Sequence, residues 1–235
     1  MHPLDNVIWE ALSTRQAEFA ESFDQARRFP HEVTTLTAFL EPSPRGYSSL
    51  AGLVPSGGVA VLSLNAPYEP QPGWDVVTSF LGLQMVWDGG YAEHTAAGTR
   101  GVSSLPPITK LGSADSPDMV ELTRLTRPGP FGTRTHELGK YLGIRREGKL
   151  VAMAGERLKV PGYTEVSAVC THPEHAGKGY ARVLMVEIMR EIRRRGETPF
   201  LHVKQDNTRA IELYQKLAFR TRMVVHFTVL KRLQS

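Results

Sequence analysis

The sequence predicts an α/β fold built on a mixed sheet. Three observations carry the prediction. From Ile108 onward, short strand-like runs alternate with stretches of helical period, in the order β-α-(α)-β-β-β-α-β-α-β(-β). Gly, Pro, Asn and Asp punctuate the boundaries between runs. The chain has 235 residues, 41% hydrophobic and 22% charged, which suits a globular protein with a full core.

The first 64 residues alternate helical and loop signals. Residues 8–20 (IWEALSTRQAEFA) read as helix, residues 48–54 (SSLAGLV) as a short helix, and residues 59–64 (VAVLSL) as a strand. Residues 78–87 (TSFLGLQMVW) contain strand-like stretches, and residues 89–107 are rich in Gly, Ser, Ala and Pro. That run is the best linker candidate. It divides the chain into an N-terminal α/β region, 1–105, and a C-terminal domain, 106–235.

The second part reads more clearly. ITKL (108–111) is a short strand, and a helix follows over GSADSPDMVELTRLT with Pro117 in its first turn. RPGPFG (127–132) is a rigid loop. Residues 138–160 give two strands joined by a turn around Arg146–Gly148, and residues 164–172 (TEVSAVCTH) give a third. Between Gly179 and Arg195 the apolar residues Ala181, Leu184, Met185, Ile188 and Ile192 fall on one helical face. PFLHVK (199–204) is a strand. DNTRAIELYQKL (206–217) is a helix capped by Asp206 or Asn207, and residues 219–232 supply one or two closing strands.

Composition narrows the function classes. A single cysteine, Cys170, rules out an intrachain disulfide, and His and Cys show no metal-site spacing. No apolar run approaches the ~20 residues of a membrane span, and the N-terminus does not read as a signal peptide, so a cytoplasmic location is the default. Residues 176–235 hold 13 Lys/Arg against 5 Asp/Glu, while the rest of the chain is acidic on balance. An anionic partner is one reading of this surplus. A solvated helix end is the other, since Arg193, Arg194 and Arg195 close a helix. No nucleic-acid-binding pattern accompanies the charge.

The stretch EHAGKGYARV (174–183) stands where a strand hands over to a helix. Glycines there let the backbone turn sharply, and a helix start offers unpaired N–H groups to an anion. Lys178 and Arg182 add charge. Alone, Gly-x-Gly also fits a plain strand–helix connection, and neither the Walker nor the full dinucleotide pattern is present.

Two stretches together, VCTHPEHAGKGYARVLMVEIM and LHVKQDNTRAIELYQKLAF, resemble the acyl-coenzyme A-binding half of the GNAT (general N-acetyltransferase) superfamily. The loop Ala176–Ala181 matches [QR]-x-x-G-x-[GA] except at Ala176, and Asn207–Phe219 matches N-x-x-A-x-x-x-Y-x-x-x-x-F. The resemblance covers roughly residues 108–235. It looks closest to the glycine N-acyltransferase-like branch, whose recognisable domain is C-terminal; residues 1–105 more faintly resemble a degenerate copy of the same fold.

The resemblance implies a GNAT fold and acetyl-CoA as co-substrate, with no metal. It implies that backbone N–H groups of Gly177, Lys178, Gly179, Tyr180, Ala181 and Arg182 hold the pyrophosphate. It places the pantetheine arm along Val169, Cys170 and Thr171, with Asn207 beside it, and makes Tyr214 the acid near the thioester sulfur. The usual Gly after the last helix is Ala218 here, at a cost of roughly 1 kcal/mol if it is left-handed.

Amine acylation also needs a base. Glu165, near the start of the strand entering the loop, is the first candidate; a surface carboxylate in an ion pair is the alternative. Strand alternation puts Glu165, Ser167, Val169 and Thr171 on one face and Val166, Ala168 and Cys170 on the other. Glu156 is the second carboxylate. Cys170 reads as a buried small hydrophobe rather than a nucleophile, and His172 and His202 as structural. Phe131, Arg134 and Glu156 are weak acceptor-site candidates, and Arg134 or Arg157 suits an acceptor carboxylate.

The expected activity is acetyl transfer from acetyl-CoA to a primary amine in a ternary complex, with an amino acid or related small amine ahead of a protein N-terminus or lysine. A non-catalytic acyl-CoA-binding module is the rival. Expected partners are acyl-CoA and an amine acceptor, without nucleic acid or membrane, for a monomer or a homodimer.

Overall fold

The computed structural model describes residues 2–90 and 106–234. The linker read over residues 89–107 therefore lies largely outside the described residues. The mixed α/β architecture read from the sequence is the one observed.

The N-terminal segment begins with helix α1 (Val7–Ser13), a 3-10 turn (Ala17–Phe19), and a small sheet of β1 (Glu21–Phe23), β2 (Ala26–Arg28) and β3 (Thr37–Phe39). The helix read over 8–20 thus stops at Ser13. Helix α2 (Pro44–Leu53) follows, capped by the Ser43 hydroxyl accepting from the Gly46 amide at 3.1 Å, with Pro44 in its first turn. Strands β4 (Val59–Leu64) and β5 (Trp74–Trp87) complete this half.

The C-terminal half gives β6 (Ile108–Leu111), α3 (Ser116–Thr126), β7 (Tyr141–Arg146), β8 (Lys149–Val160), β9 (Tyr163–Thr171), α4 (Tyr180–Arg194), β10 (Thr198–Lys204), α5 (Thr208–Lys216) and β11 (Phe219–Arg232). The closing segment is one strand with irregularities rather than two.

Eight strands form the main sheet in the order β4-β11-β5-β10-β9-β8-β7-β6. Only β9 and β10 run parallel; the other neighbours are antiparallel. Strand β5, from before residue 106, stands between β10 and β11, from after it. Strands from both halves therefore close one sheet.

Alternation along the strands feeds two faces. Leu142, Ile144, Ala152, Ala154, Val166 and Leu201 pack against Leu184, Met185, Ile188 and Ile192 of α4 and Tyr214 of α5. On the opposite face, Met119 and Leu122 of α3 meet Tyr141, Met153, Ala168 and Cys170. Beside them, Val7, Ile8, Ala11 and Leu12 of α1 meet Leu158, Val160 and Phe200. Apolar burial of this kind stabilises by roughly 25 cal/mol per Å².

Candidate active site

The site grows from a fork in the sheet. The parallel pairing of β9 with β10 runs Tyr163↔Thr198, Thr164↔Pro199 and Glu165↔Phe200, and then ends. Beyond it β9 continues to Thr171, paired only with β8. Val169, Cys170 and Thr171 thus lie on a strand whose β10-facing edge is unpaired among the described residues.

A bulge re-aims β9 at this point. Ala168 has φ +52°, and β9 spends one residue more than β8 between the pairs Gly155↔Ser167 and Met153↔Cys170. The regular alternation expected here does not hold. Val166 and Val169 face α4, whereas Ala168 and Cys170 face α3. An extra residue moves every later side chain to the other face.

The glycine loop follows β9 through a 3-10 turn (Pro173–His175). Gly177 and Gly179 both have left-handed backbones, at φ +81° and +79°, where a side chain is strained. A Cβ at either position would meet nothing within 4 Å, so both face open space. The first intrahelical bond of α4 runs from the Val183 amide to the Gly179 carbonyl. The amides of Gly177, Lys178, Gly179, Tyr180 and Ala181 have no acceptor among the described residues, as the start of a helix dictates. Only the amide of Tyr180 belongs to this surface. Its ring is buried, stacks on His175, and its hydroxyl accepts from Arg146 Nε at 3.2 Å. Lys178 Nζ lies 3.1 Å from His175 Nδ1.

Across the fork, Asn207 caps α5: its Oδ1 accepts from the Ala210 amide at 3.2 Å, which leaves Nδ2 as a donor. Tyr214, on the same helix, packs its ring 6.2 Å from Phe219 and is almost fully buried. Its hydroxyl makes no hydrogen bond with the described residues. Burial, helped by the nearby Cys170 thiol, pushes its pKa up to about 12, so at neutral pH it is a proton donor. Burial likewise pushes Cys170 up to about 11, against smaller opposing effects from Thr126 and the Met153 backbone. A buried, protonated thiol is a poor nucleophile, in line with its reading as a small hydrophobe.

Glu165 sits at the fork itself and is fully buried. Arg157 Nε and Nη2 donate to its two oxygens at 2.8 and 2.7 Å, and His202 Nδ1 bonds Oε1 at 2.7 Å. Burial would raise its pKa, but the Arg157 charge and the bonds from Arg157 and His202 outweigh it and hold it at about 2. The Leu158 amide donates a fourth bond, to Oε2 at 3.3 Å, so the carboxylate has neither a free lone pair nor the basicity for proton abstraction. The base role expected for Glu165 does not fit this geometry, and its ion-pair alternative does, although the pair is buried rather than at the surface. Glu156 is also committed, to Arg195 at 2.9 Å and Lys159 at 3.2 Å.

The acceptor-side candidates separate. Phe131 packs edge-on against Tyr141, with centroids 5.8 Å apart. Arg134 is bound bidentately by Glu137, both bonds 2.8 Å, on the exposed surface, so it offers no free fork to an acceptor. His172 accepts from the Glu174 amide at 3.3 Å.

Sequence reading missed the row that joins the strands. His202 Nε2 accepts from Gln84 Nε2 at 3.2 Å; Gln84 also donates to the Leu4 carbonyl at 2.9 Å and accepts from Arg222 Nη1 at 2.8 Å. Arg222 pairs with Asp5. The pattern assigns the His202 proton to Nδ1. Strand alternation marks which of these residues share a face; it does not give the order in which the strands lie. Tyr141, whose hydroxyl is buried without a partner among the described residues, was missed too. Among the described residues no group of three or more His, Cys, Asp or Glu could hold a metal ion. No helix is long and apolar enough to cross a membrane.

A strand, a glycine loop and a helix start beside a forked parallel pair make an α/β protein of the kind whose backbone amides can face an anion. The comparisons narrow it. A family model described as FR47-like protein matches residues 141–228. A crystal structure from Novosphingobium aromaticivorans DSM 12444, described as a GNAT-family acetyltransferase, is 34% identical over 100% of both chains, with a TM-score of 0.86. The chain belongs to the GNAT family. Two more distant structures share the fold at 15% identity. A GCN5-related N-acetyltransferase-like protein from Streptococcus suis 89/1591 has a TM-score of 0.63, with 97% of this chain and 94% of that chain covered. A GCN5-related N-acetyltransferase from Kribbella flavida has 0.58, with 99% and 97% covered. No curated protein matches the chain.

Proposed function

We propose that the protein is an acetyl-CoA-dependent N-acetyltransferase that transfers its acetyl group directly to a primary amine of a small molecule. The observation that carries this reading is the run of five amides, Gly177 to Ala181, that have no acceptor among the described residues and open α4 beside the β9–β10 fork. Family membership supports the same chemistry.

In this reading the amides of Gly177–Ala181 take the pyrophosphate, and Arg182 lies in the same helix turn. The unpaired edge of β9 at Val169–Thr171 receives the pantetheine arm as an added strand would, with Asn207 Nδ2 a donor across the fork. The neutral amine attacks the thioester carbonyl carbon, and the C–S bond breaks as the tetrahedral intermediate collapses. Tyr214 gives its phenolic proton to the departing sulfur, and the proton lost by the amine nitrogen restores the phenol through solvent. An ammonium acceptor first loses one proton to water. Glu165 acts as a positioning residue: it fixes Arg157 and His202 at the fork.

The test is calorimetric titration with acetyl-CoA, run beside thiol release over a panel of amines. Binding with amine-dependent release supports the enzyme. Binding without release from any amine supports an acyl-CoA-binding module. No binding overturns the assignment of the glycine loop.

A further inference from the structure

Arg157 and Tyr141 lie near the fork on the face covered by α3, and neither has its hydrogen-bonding capacity filled. Arg157 spends Nε and Nη2 on Glu165. Its Nη1 has no partner among the described residues, and the side chain keeps 11% exposure. A Cβ added at Gly129 would stand 3.6 Å from Nη1, so the open edge of the guanidinium looks toward the 127–132 loop. The Tyr141 ring lies over Gly155, where an added Cβ would come within 2.3 Å of it, so only glycine leaves it room. The Tyr141 hydroxyl is buried and has no hydrogen-bond partner among the described residues. Tyr141 pairs with Gly155, two residues before Arg157 on β8, and both side chains meet the 127–132 loop, Tyr141 through Phe131 and Arg157 through Gly129.

A buried hydroxyl left without an acceptor is unusual in native proteins and calls for an explanation, and the open guanidinium edge faces the same loop. Both are donors, and together they suit a planar carboxylate, which accepts from several donors at once. Glu165 already neutralises Arg157, so a bare anion would leave uncompensated negative charge in a poorly solvated site. A zwitterionic amino acid brings its own compensating charge as it binds, before its ammonium gives up the proton.

We infer that the acceptor is an amino acid or a similar small amine bearing a carboxylate, with the carboxylate bound by Arg157 Nη1 and the Tyr141 hydroxyl. This rests on the acetyltransferase reading above. Phe131 covers Tyr141 from the loop side. Arg157 and Tyr141 are therefore specificity-determining residues, and Glu165 holds Arg157 in place for them.

The experiment uses matched pairs: amino acids and their primary amides, compared by thiol release from acetyl-CoA. The acids are expected to exceed the amides in kcat/KM by about 10- to 100-fold, the worth of a charge-assisted hydrogen bond. In the double variant Arg157→Gln/Glu165→Gln, which leaves no unpaired buried charge, that ratio falls to about one. Tyr141→Phe raises KM for the acids alone. Equal rates for acids and amides, or a ratio that survives the double variant, overturn the inference but leave the acetyltransferase reading standing. If the double variant does not fold, the wild-type acid-to-amide ratio and Tyr141→Phe still decide. Acetyl-CoA binding without release from any amine overturns both.

Discussion

His202 Nδ1 donates to Glu165 Oε1 at 2.7 Å, at the point where β9 and β10 part. Glu165 belongs to the last backbone pair, with Phe200, and His202 lies two residues further along β10. The side chains therefore continue the link between two strands after their backbones have separated. With Arg157 on β8, Gln84 on β5 and Arg222 on β11, a polar row crosses five strands on one face of the sheet. It ties the strands together across the mouth of the fork.

Removing one member of the buried pair should be costly. Glu165→Gln leaves the Arg157 charge without its counter-ion and is expected to destabilise the fold by about 3–5 kcal/mol. Urea unfolding followed by circular dichroism reads this directly. A loss below about 1 kcal/mol, the range of exposed pairs, would show that the pair is not buried in solution.

The same group sets an acid limb. Glu165 titrates at about 2 in the folded protein, against an ordinary 4.5. A depressed carboxyl stabilises the fold above its unfolded pKa, and that contribution is lost as pH falls from about 4.5 through about 2. Its size is on the order of 3 kcal/mol at neutral pH. Stability measured between pH 6 and pH 2.5 should decline in this window. In Arg157→Gln/Glu165→Gln the Glu165 share of that decline should vanish.

Tyr214→Phe should lower kcat by roughly 10²- to 10⁴-fold, the usual worth of one positioned acid, with the Kd for acetyl-CoA unchanged. The phenol stays protonated up to about pH 12, so no loss of activity from its ionisation is expected below pH 10. Unchanged turnover in the variant would remove Tyr214 from proton transfer.

Gly177→Val should abolish acetyl-CoA binding while the protein remains folded. A β-branched residue at φ +81° costs roughly 1–2 kcal/mol and places its side chain in front of the amides of the loop. Calorimetry and thermal unfolding separate the two effects. Full binding would displace the pyrophosphate cradle from this loop.

Ala218 follows α5 with φ +65°, the left-handed conformation that the absence of glycine there made costly. Ala218→Gly is expected to stabilise the protein by about 0.5–1 kcal/mol, the relieved strain less the added freedom of the unfolded chain. A lower Tm in the variant would count against it.

The local elements of the C-terminal half were legible because each has its own signal. The apolar face of α4, the Asn207 cap and the turn near Glu147–Gly148 are decided by residues close in sequence. The glycine loop was legible for the same reason: Gly177 and Gly179 adopt backbones that few other residues tolerate. In the first half, β1, β2 and β3 are three residues each, too short to show any period, and were not found.

What depended on distant residues was not legible. Nothing in TSFLGLQMVW says that this strand lies between β10 and β11. The bulge at Ala168 reverses an alternation that the sequence states plainly, because strand pairing with β8 decides it. Glu165 illustrates the division. Its place near the start of a strand entering the glycine loop was determined by sequence alone. Whether its carboxylate would be a base or a buried counter-ion was decided by the tertiary structure, which set Arg157, eight residues away, and His202, from another strand, within hydrogen-bonding reach. A carboxyl group's chemistry follows from the charges and water around it, and only folding fixes those.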